Sequence, residues 1–177
     1  MTKERIAKSF VELKGELALK NAMQAPSIEK IVISVGTGKR SKIDRHWNEF
    51  VTKRLKELTG QKPSARPAKQ SIAGFKIRQG DTIGQQVTLR GPQMIAFADK
   101  LLHISLPRTK DFRGIKRSAV DNMGNLTIGI KEHTIFPETA EEELKDVFGM
   151  SITIVSSLKN KKDATRFFEY VGVPFQK

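Results

Sequence analysis

The stretch Ile28-Glu29-Lys30-Ile31-Val32-Ile33-Ser34-Val35 alternates in side-chain character with a period of two residues, which predicts a β-strand with one buried face. Ile31, Ile33 and Val35 fall on the side that should face a core. Val32 and Ser34 fall on the opposite side. Glycines at positions 36 and 38 follow the stretch and end the strand.

The same alternation recurs in three later runs, at residues 85–90, 126–131 and 151–157. In the first of these runs, Val87 and Leu89 are expected to face the core. Helical patterns separate the runs without a regular βαβ repeat, and glycine-rich hairpin signals join several of them. These patterns predict an α+β fold with a mainly antiparallel sheet, helices packed on one face and an open polar face. The residues expected on the open face are small hydrogen-bonding groups with a few cations: Ser34, Gln86, Thr88, Arg90, Thr127, Lys131, Ser151 and Thr153.

Apolar residues at helical spacing predict the helices. The first helix is expected over residues 1–20, and the second is expected to start with capping-box spacing at Ser41 and to end at Gly60. The apolar stripe of this second helix comprises Ile43, Trp47, Val51, Leu55 and Leu58.

Two further helices are predicted in the second half of the chain. One starts at Gly91-Pro92, buries Ile104 or Ser105 on its last turn and stops at Pro107, and the other is capped by Asn160 or Asp163 and stopped by Gly172. The acidic run at 138–146 predicts a short solvated helix.

Composition limits the class of protein. The chain has 177 residues, which suits a single domain over 1–177, and 38% of the residues are hydrophobic, as is ordinary for a folded protein. It has 32 Lys and Arg against 19 Asp and Glu, a formal net charge of +13, and no cysteine. Disulfides, thiolate nucleophiles and cysteine-based zinc sites are therefore excluded, and a polyanionic partner is indicated. The chain shows no membrane span and no signal peptide, so we expect a cytoplasmic protein.

Two basic segments of the sequence indicate the kind of partner that the protein binds. Between Leu58 and Gly80 there are five Lys and Arg residues and no acid, and Phe75 lies next to Gly74 between cations. A second basic loop runs from Pro107 to Gly114. An aromatic ring beside cations is typical of single-stranded or loop RNA recognition, so we favour nucleic acid over a merely solubilising surface. The residues at 71–80 are expected to form a protruding basic hairpin or loop.

Other motifs have weaker functional interpretations. The glycine-rich turn at 36–40 lacks the first Gly and the final Ser or Thr of a P-loop, so we interpret it as a tight turn with Lys39, Arg40 and Lys42 free to meet phosphates. The histidines at 46, 103 and 133 are dispersed, and we interpret them as surface or packing residues. We predict no catalytic residue, no metal site and no cofactor. Two rival classes are an RNA-cleaving enzyme, tested by a nuclease assay with magnesium, and an adaptor for anionic membranes, tested with vesicles.

Several strings, in order along the chain from about residue 5 to Phe175, closely resemble the bacterial large-subunit ribosomal protein five family, the 5S rRNA-binding protein of the central protuberance. They include Thr59-Gly60-Gln61-Lys62-Pro63, Ser71-Ile72-Ala73-Gly74-Phe75-Lys76-Ile77-Arg78, Val87-Thr88-Leu89-Arg90-Gly91, Leu106-Pro107-Arg108, Asp111-Phe112-Arg113-Gly114 and Gly129-Ile130-Lys131-Glu132.

The resemblance implies a non-enzymatic scaffold in the cytoplasmic ribosome. Its implied partners are 5S rRNA, 23S rRNA, P-site tRNA, a small-subunit head protein and neighbouring 5S rRNA-binding proteins. With the strand pattern, it implies 5S rRNA binding by Ser34, Gln61, Lys62, Gln86, Thr88, Arg90, Lys131 and Thr153. It implies tRNA contact by Ala73, Gly74, Phe75, Lys76 and Arg78, and an intersubunit bridge at Arg108, Lys110, Asp111 and Arg113.

The chain departs from the family pattern at two places. Ser34 stands where the family usually has Asn, and its hydroxyl reaches less far than an amide. The segment Val120-Asp121-Asn122-Met123-Gly124 lacks the Phe that the family commonly has before its turn, so this hairpin is expected to differ in shape.

Overall fold

The computed structural model describes residues 2–44, 46–110, 112–139 and 146–176. The strands in these ranges are β1 (Ile28–Gly36), β2 (Ser64–Pro67), β3 (Thr82–Leu89), β4 (Leu126–Ile130) and β5 (Met150–Ser156). They form an antiparallel sheet in the order β2-β3-β1-β5-β4. The α-helices are α1 (Thr2–Leu13), α2 (Trp47–Thr59), α3 (Gly91–Lys100), α4 (Leu106–Arg108) and α5 (Lys161–Val171). The predicted α+β class is confirmed.

The chain divides into two compact units. The first unit comprises residues 1–31, 90–128 and 153–177, and the second comprises 32–89 and 129–152. Strands β1, β4 and β5 contribute residues to both. In the described ranges, no helix is long and apolar enough to cross a membrane.

Strand alternation produces the core of the second unit. Ile33 and Val35 of β1 and Val87 and Leu89 of β3 are buried, as predicted, and α2 contacts β3. The side chains between them, such as Gln86, stay partly exposed. One face of these strands is thus covered by α2, and the opposite face is accessible.

Helix packing produces the core of the first unit. Helix α1 contacts both α3 and α5, and the rings of Phe167 and Phe168 on α5 are fully buried. The guanidinium of Arg5 donates a 2.9 Å hydrogen bond to the carbonyl of Val171 near the end of α5. As predicted, α5 is capped by the side chain of Asn160 and ended by Gly172, which has a left-handed backbone.

The first helix is shorter than predicted. It ends at Leu13 rather than at residue 20. Leu17 still donates a backbone hydrogen bond of 2.9 Å to Leu13, but Gly15 disfavours a helix and Ala18 has a positive φ of 49°. The apolar spacing therefore continues beyond the helix itself.

The predicted start of α2 is wrong. The amides of Arg40 and Ser41 both bond to the carbonyl of Thr37, which closes consecutive turns, and the helix begins only at Trp47. Ile43 is 85% exposed, so it does not belong to the buried stripe. The carboxylate of Asp44 accepts from the amide of His46 in a local turn and does not complete a capping box. The predicted end is confirmed, because Gly60 caps α2 with φ 71°.

The third predicted helix continues past its expected stop at Pro107. A π-helical turn at Leu101–Ser105 joins α3 to α4, and the amide of Leu106 bonds to the carbonyl of Leu101. The wider turn tolerates the missing N–H of the following proline. The sequence left open whether Ile104 or Ser105 is buried on the last turn. Ser105 is fully buried and Ile104 is 46% exposed, so Ser105 is the buried residue. Most of the acidic run, at residues 140–145, lies outside the described residues.

Candidate nucleic-acid interface

We define the open face as the side of β1, β2 and β3 opposite α2 in the second unit. There the side-chain amide of Gln86 donates to the hydroxyl of Ser34 at 3.2 Å. The guanidinium of Arg66 donates to the carbonyl oxygen of the same Gln86. Strand pairing explains this contact, because Ser64 lies opposite Gln86 and Arg66 shares the side of Ser64. The result is a chain of polar side chains across β2, β3 and β1.

The other predicted residues of the second unit lie in different surroundings. Thr88 is partly exposed on β3, two residues after Gln86 and hence on the open face, and Lys131 is exposed just after β4. Gln61 is exposed, and its amide bonds to the hydroxyl of Thr59 at 3.2 Å. Lys62 instead lines a cleft beside α2, together with Lys56 and other residues. The structure therefore places Lys62 away from the open face.

Two predicted residues belong to the first unit. Arg90 is exposed at the end of β3, where its extended backbone precedes α3 and its side chain makes no cap hydrogen bond. The hydroxyl of Thr153 on β5 lies 3.1 Å from the hydroxyl of Thr127 on β4. These side chains are polar and accessible to a ligand, as the alternation predicted.

The basic loop at 68–81 is tied at its base and exposed at its tip. Ala68 donates to the carbonyl of Asp81 at 2.8 Å, and Ile72 pairs with Ile77 as an isolated bridge. Phe75 is 67% exposed at the tip. The residues from 73 to 76 and Arg78 are all exposed, which leaves the aromatic ring and the cations open to a partner.

The prediction that Arg40 and Lys42 are free cations is wrong. The guanidinium of Arg40 lies 3.8 Å over the ring of Trp47 and 3.6 Å from the carboxylate of Asp146. The ammonium of Lys42 donates to the carbonyl of Phe75. A planar guanidinium stacks well on an aromatic ring, so Arg40 serves packing. Lys39 is exposed, as predicted.

The second basic loop is exposed and anchored at one end. Arg108, Lys110 and Arg113 are exposed, and Asp111 lies outside the described residues. Ile115 donates to the carbonyl of Pro174 at 2.7 Å, which ties the end of the loop to the C-terminal segment.

Sequence reasoning missed Arg66 as a residue of the open face. Arg66 is one of the five Lys and Arg residues between Leu58 and Gly80, but the sequence pattern did not predict the short strand β2. Only the register between β2 and β3 brings the guanidinium to Gln86. The four residues from Ser64 to Pro67 include a proline and are too few to show alternation, so this signal was weak.

The histidines behave as expected for surface and packing residues. His46 and His103 are exposed, and His133 is buried with its ring stacked on Phe148 at 4.0 Å between centroids. The amide of Phe148 donates to Nδ1 of His133. Among the described residues, no group of His, Asp or Glu has the arrangement of a metal site.

A net charge of +13, an open polar sheet face and exposed cationic loops are together typical of RNA-binding proteins. Comparison with known proteins gives the particular family. The family model described as ribosomal protein L5 matches residues 21–78, and the model described as the C-terminus of the same ribosomal family matches residues 82–175. The chain belongs to the ribosomal protein L5 family.

Individual relatives agree with the family models. The large ribosomal subunit protein uL5 of Helicobacter acinonychis is 47% identical over 94% of this chain and 92% of the relative. The protein of the same name from Mycoplasma mycoides is 45% identical over 94% of this chain and 92% of its own length. The resemblance seen in the sequence is confirmed. Membership of this family makes the chain a structural protein of the cytoplasmic ribosome and not an enzyme.

Proposed function

We propose that this structural component of the large ribosomal subunit binds 5S rRNA through the open face and through Arg90, Lys131 and Thr153. The observation that carries the proposal is the hydrogen-bonded chain from Arg66 through Gln86 to Ser34. The chain holds a guanidinium beside amide and hydroxyl groups on an accessible sheet. RNA helices display 2′-hydroxyls and phosphates across a wide, shallow minor groove, which suits such a flat polar surface.

The residues have different roles in this proposal. Arg66, Arg90 and Lys131 neutralise phosphates, which supplies affinity that falls as salt rises. Ser34, Gln86 and Thr88 donate and accept hydrogen bonds that fix the register of the RNA on the strands. Gln61 contacts the RNA from the end of α2, and Lys62 contributes charge from the α2 side.

The exposed loops extend the function to other partners. We propose that the loop tip from Ala73 to Arg78 contacts P-site tRNA, with Phe75 available for stacking and Lys76 and Arg78 for phosphates. We also propose that Arg108, Lys110, Asp111 and Arg113 contribute to a bridge to the small-subunit head. With 23S rRNA and neighbouring 5S rRNA-binding proteins, these contacts attach the 5S particle in the central protuberance.

Filter binding with 5S rRNA at moderate salt tests the proposal. Arg90→Ala is expected to weaken binding by about tenfold, since it removes a charge-assisted hydrogen bond or phosphate contact. Lys3→Ala on α1 makes the same change in net charge and is expected to bind like the wild type. Equal affinities of the two variants would exclude Arg90 from the site.

The loop needs a separate experiment. The triple variant Phe75→Ala, Lys76→Ala and Arg78→Ala is expected to keep its affinity for 5S rRNA and to reduce P-site tRNA binding by ribosomes that carry it. Loss of 5S rRNA binding would assign the loop to the rRNA site instead.

A further inference from the structure

The hairpin turn at residues 121–125 in the first unit presents an exposed apolar side chain on a fixed backbone. The carboxylate of Asp121 accepts hydrogen bonds from the amide of Met123 at 2.9 Å, the amide of Asn125 at 2.7 Å and the side chain of Asn125 at 2.9 Å. Val120 pairs with Leu126 at its base. Met123 itself is 63% exposed. Local bonds therefore hold a large apolar side chain at the surface, where a partner can reach it.

The same turn is fixed against the segment that leads into α5. The hydroxyl of Ser156 is buried and donates to the carbonyl of Gly124 at 2.7 Å. A Cβ at Gly124 would lie 2.3 Å from the carbonyl oxygen of Leu158 and 3.2 Å from the Cβ of Ala164. The turn and the segment from Leu158 to Ala164 are thus in direct contact.

That segment carries three lysines. Lys159 and Lys162 are exposed and Lys161 is partly exposed, and in the described part of the chain no carboxylate forms an ion pair with any of them. They flank the start of α5, where the helix dipole disfavours cations. Phosphates bound beside these lysines would offset this repulsion.

Nearby carboxylates are largely engaged with other groups. Glu169 on α5 pairs with Arg117 at 2.9 Å and with Arg166 at 3.3 Å. Asp121 is occupied by the turn, and Asp163 lies in the first turn of α5.

We propose that Met123 with Lys159, Lys161 and Lys162 forms a second RNA-binding surface, separate in residues from the open face. The cations pair with phosphates of one strand, and the Met123 side chain packs on a ribose or an unstacked base, where its polarisable sulfur contacts the ring. A protein partner would have to supply a carboxylate cluster for the lysines. RNA supplies both the anions and the apolar ring faces. This inference rests on the proposed function of the protein as a ribosomal RNA-binding component.

Large subunits that carry the triple variant Lys159→Gln, Lys161→Gln and Lys162→Gln test the surface by washing with increasing ammonium chloride. The variant is expected to be released at lower salt than the wild type, with at least tenfold less protein retained at the wild-type midpoint. The control Lys3→Gln, Lys8→Gln and Lys14→Gln makes the same charge change on α1 and is expected to be retained like the wild type. Equal retention of both triple variants would overturn the proposal.

Two further measurements separate this proposal from its alternatives. The lysine variant is expected to bind isolated 5S rRNA within twofold of the wild type and to unfold at an equal or higher temperature. If 5S rRNA binding falls as much as retention, the lysines belong to the 5S site and the second surface is refuted. With Met123 replaced by p-benzoylphenylalanine, irradiated large subunits are expected to give a crosslink to rRNA, and a crosslink to protein alone would also refute it.

Discussion

The side-chain amide of Gln86 on β3 donates a hydrogen bond to the hydroxyl of Ser34 on β1, with 3.2 Å between the nitrogen and oxygen. The carbonyl oxygen of the same Gln86 accepts from Arg66 on β2. One amide therefore orients a hydroxyl on one side and a cation on the other. This arrangement gives the open face a defined pattern of donors before any RNA binds, which lowers the ordering cost of binding.

Replacement of Gln86 tests this role. Gln86→Ala is expected to weaken 5S rRNA binding by about tenfold, since Arg66 loses its anchor, and to change the free energy of unfolding by less than about 1 kcal/mol because the side chain is only partly buried. Filter binding and urea denaturation measure the two effects. Gln79→Ala, in the exposed loop, is the matched control and should leave both unchanged.

The turn at 121–125 depends on a glycine. Gly124 has φ 80°, and a Cβ there would lie 2.3 Å from the carbonyl oxygen of Leu158. Gly124→Ala is therefore expected to lower the free energy of unfolding by about 3 kcal/mol through backbone strain and overpacking. Gly129→Ala is the control, because a Cβ at Gly129 meets nothing within 4 Å. Similar urea midpoints for the two variants would contradict the described geometry.

The stacking of Arg40 on Trp47 can be followed by fluorescence, because the chain has one tryptophan. Arg40→Lys keeps the charge but loses the planar group that stacks on the ring. We expect a shift of the Trp47 emission and a loss of about 1 kcal/mol in the free energy of unfolding. Lys39→Ala, at the exposed neighbouring position, should change neither. An unaltered emission spectrum in Arg40→Lys would show that the stacking does not persist in solution.

The turn should also depend on pH. Hydrogen bonds from the backbone and side chain of Asn125 hold the pKa of Asp121 below its ordinary value of 3.8. Because the folded pKa is depressed, the stabilisation is complete above the unfolded pKa and is lost as pH falls through the folded pKa. An NMR titration of the Asn125 amide is expected to show a midpoint below 3.8. A midpoint at or above that value would mean that these bonds do not favour the carboxylate.

The sequence predicted those parts of the fold that depend on local pattern. Ile33, Val35, Val87 and Leu89 were assigned to the core from strand alternation alone, and all are buried. The stripe assigned to α2 failed at Ile43, because its spacing matched the helix while the backbone before Trp47 closed successive turns instead. Helical spacing does not reveal where the backbone leaves the helix.

Part of the candidate site was also predicted from local strand alternation. Ser34, Gln86 and Thr88 were placed on the open face by alternation, and the structure puts them on accessible strand positions. The position of Arg66 depends on strand register, and the packing of Arg40 depends on Trp47 and Asp146, which lie farther along the chain. Such contacts arise from tertiary structure and leave no periodic signal in the sequence.

The central claim is that the open face binds 5S rRNA, and one binding measurement tests it most directly. The double variant Arg66→Ala and Thr88→Val is compared by filter binding with Lys3→Ala and Thr165→Val, which makes the same changes in charge and in side-chain chemistry on α1 and α5, outside the open face. We expect the open-face variant to bind 5S rRNA at least about tenfold more weakly than the control, since a charge-assisted and a neutral hydrogen bond are removed. Equal affinities of the two double variants would contradict the account.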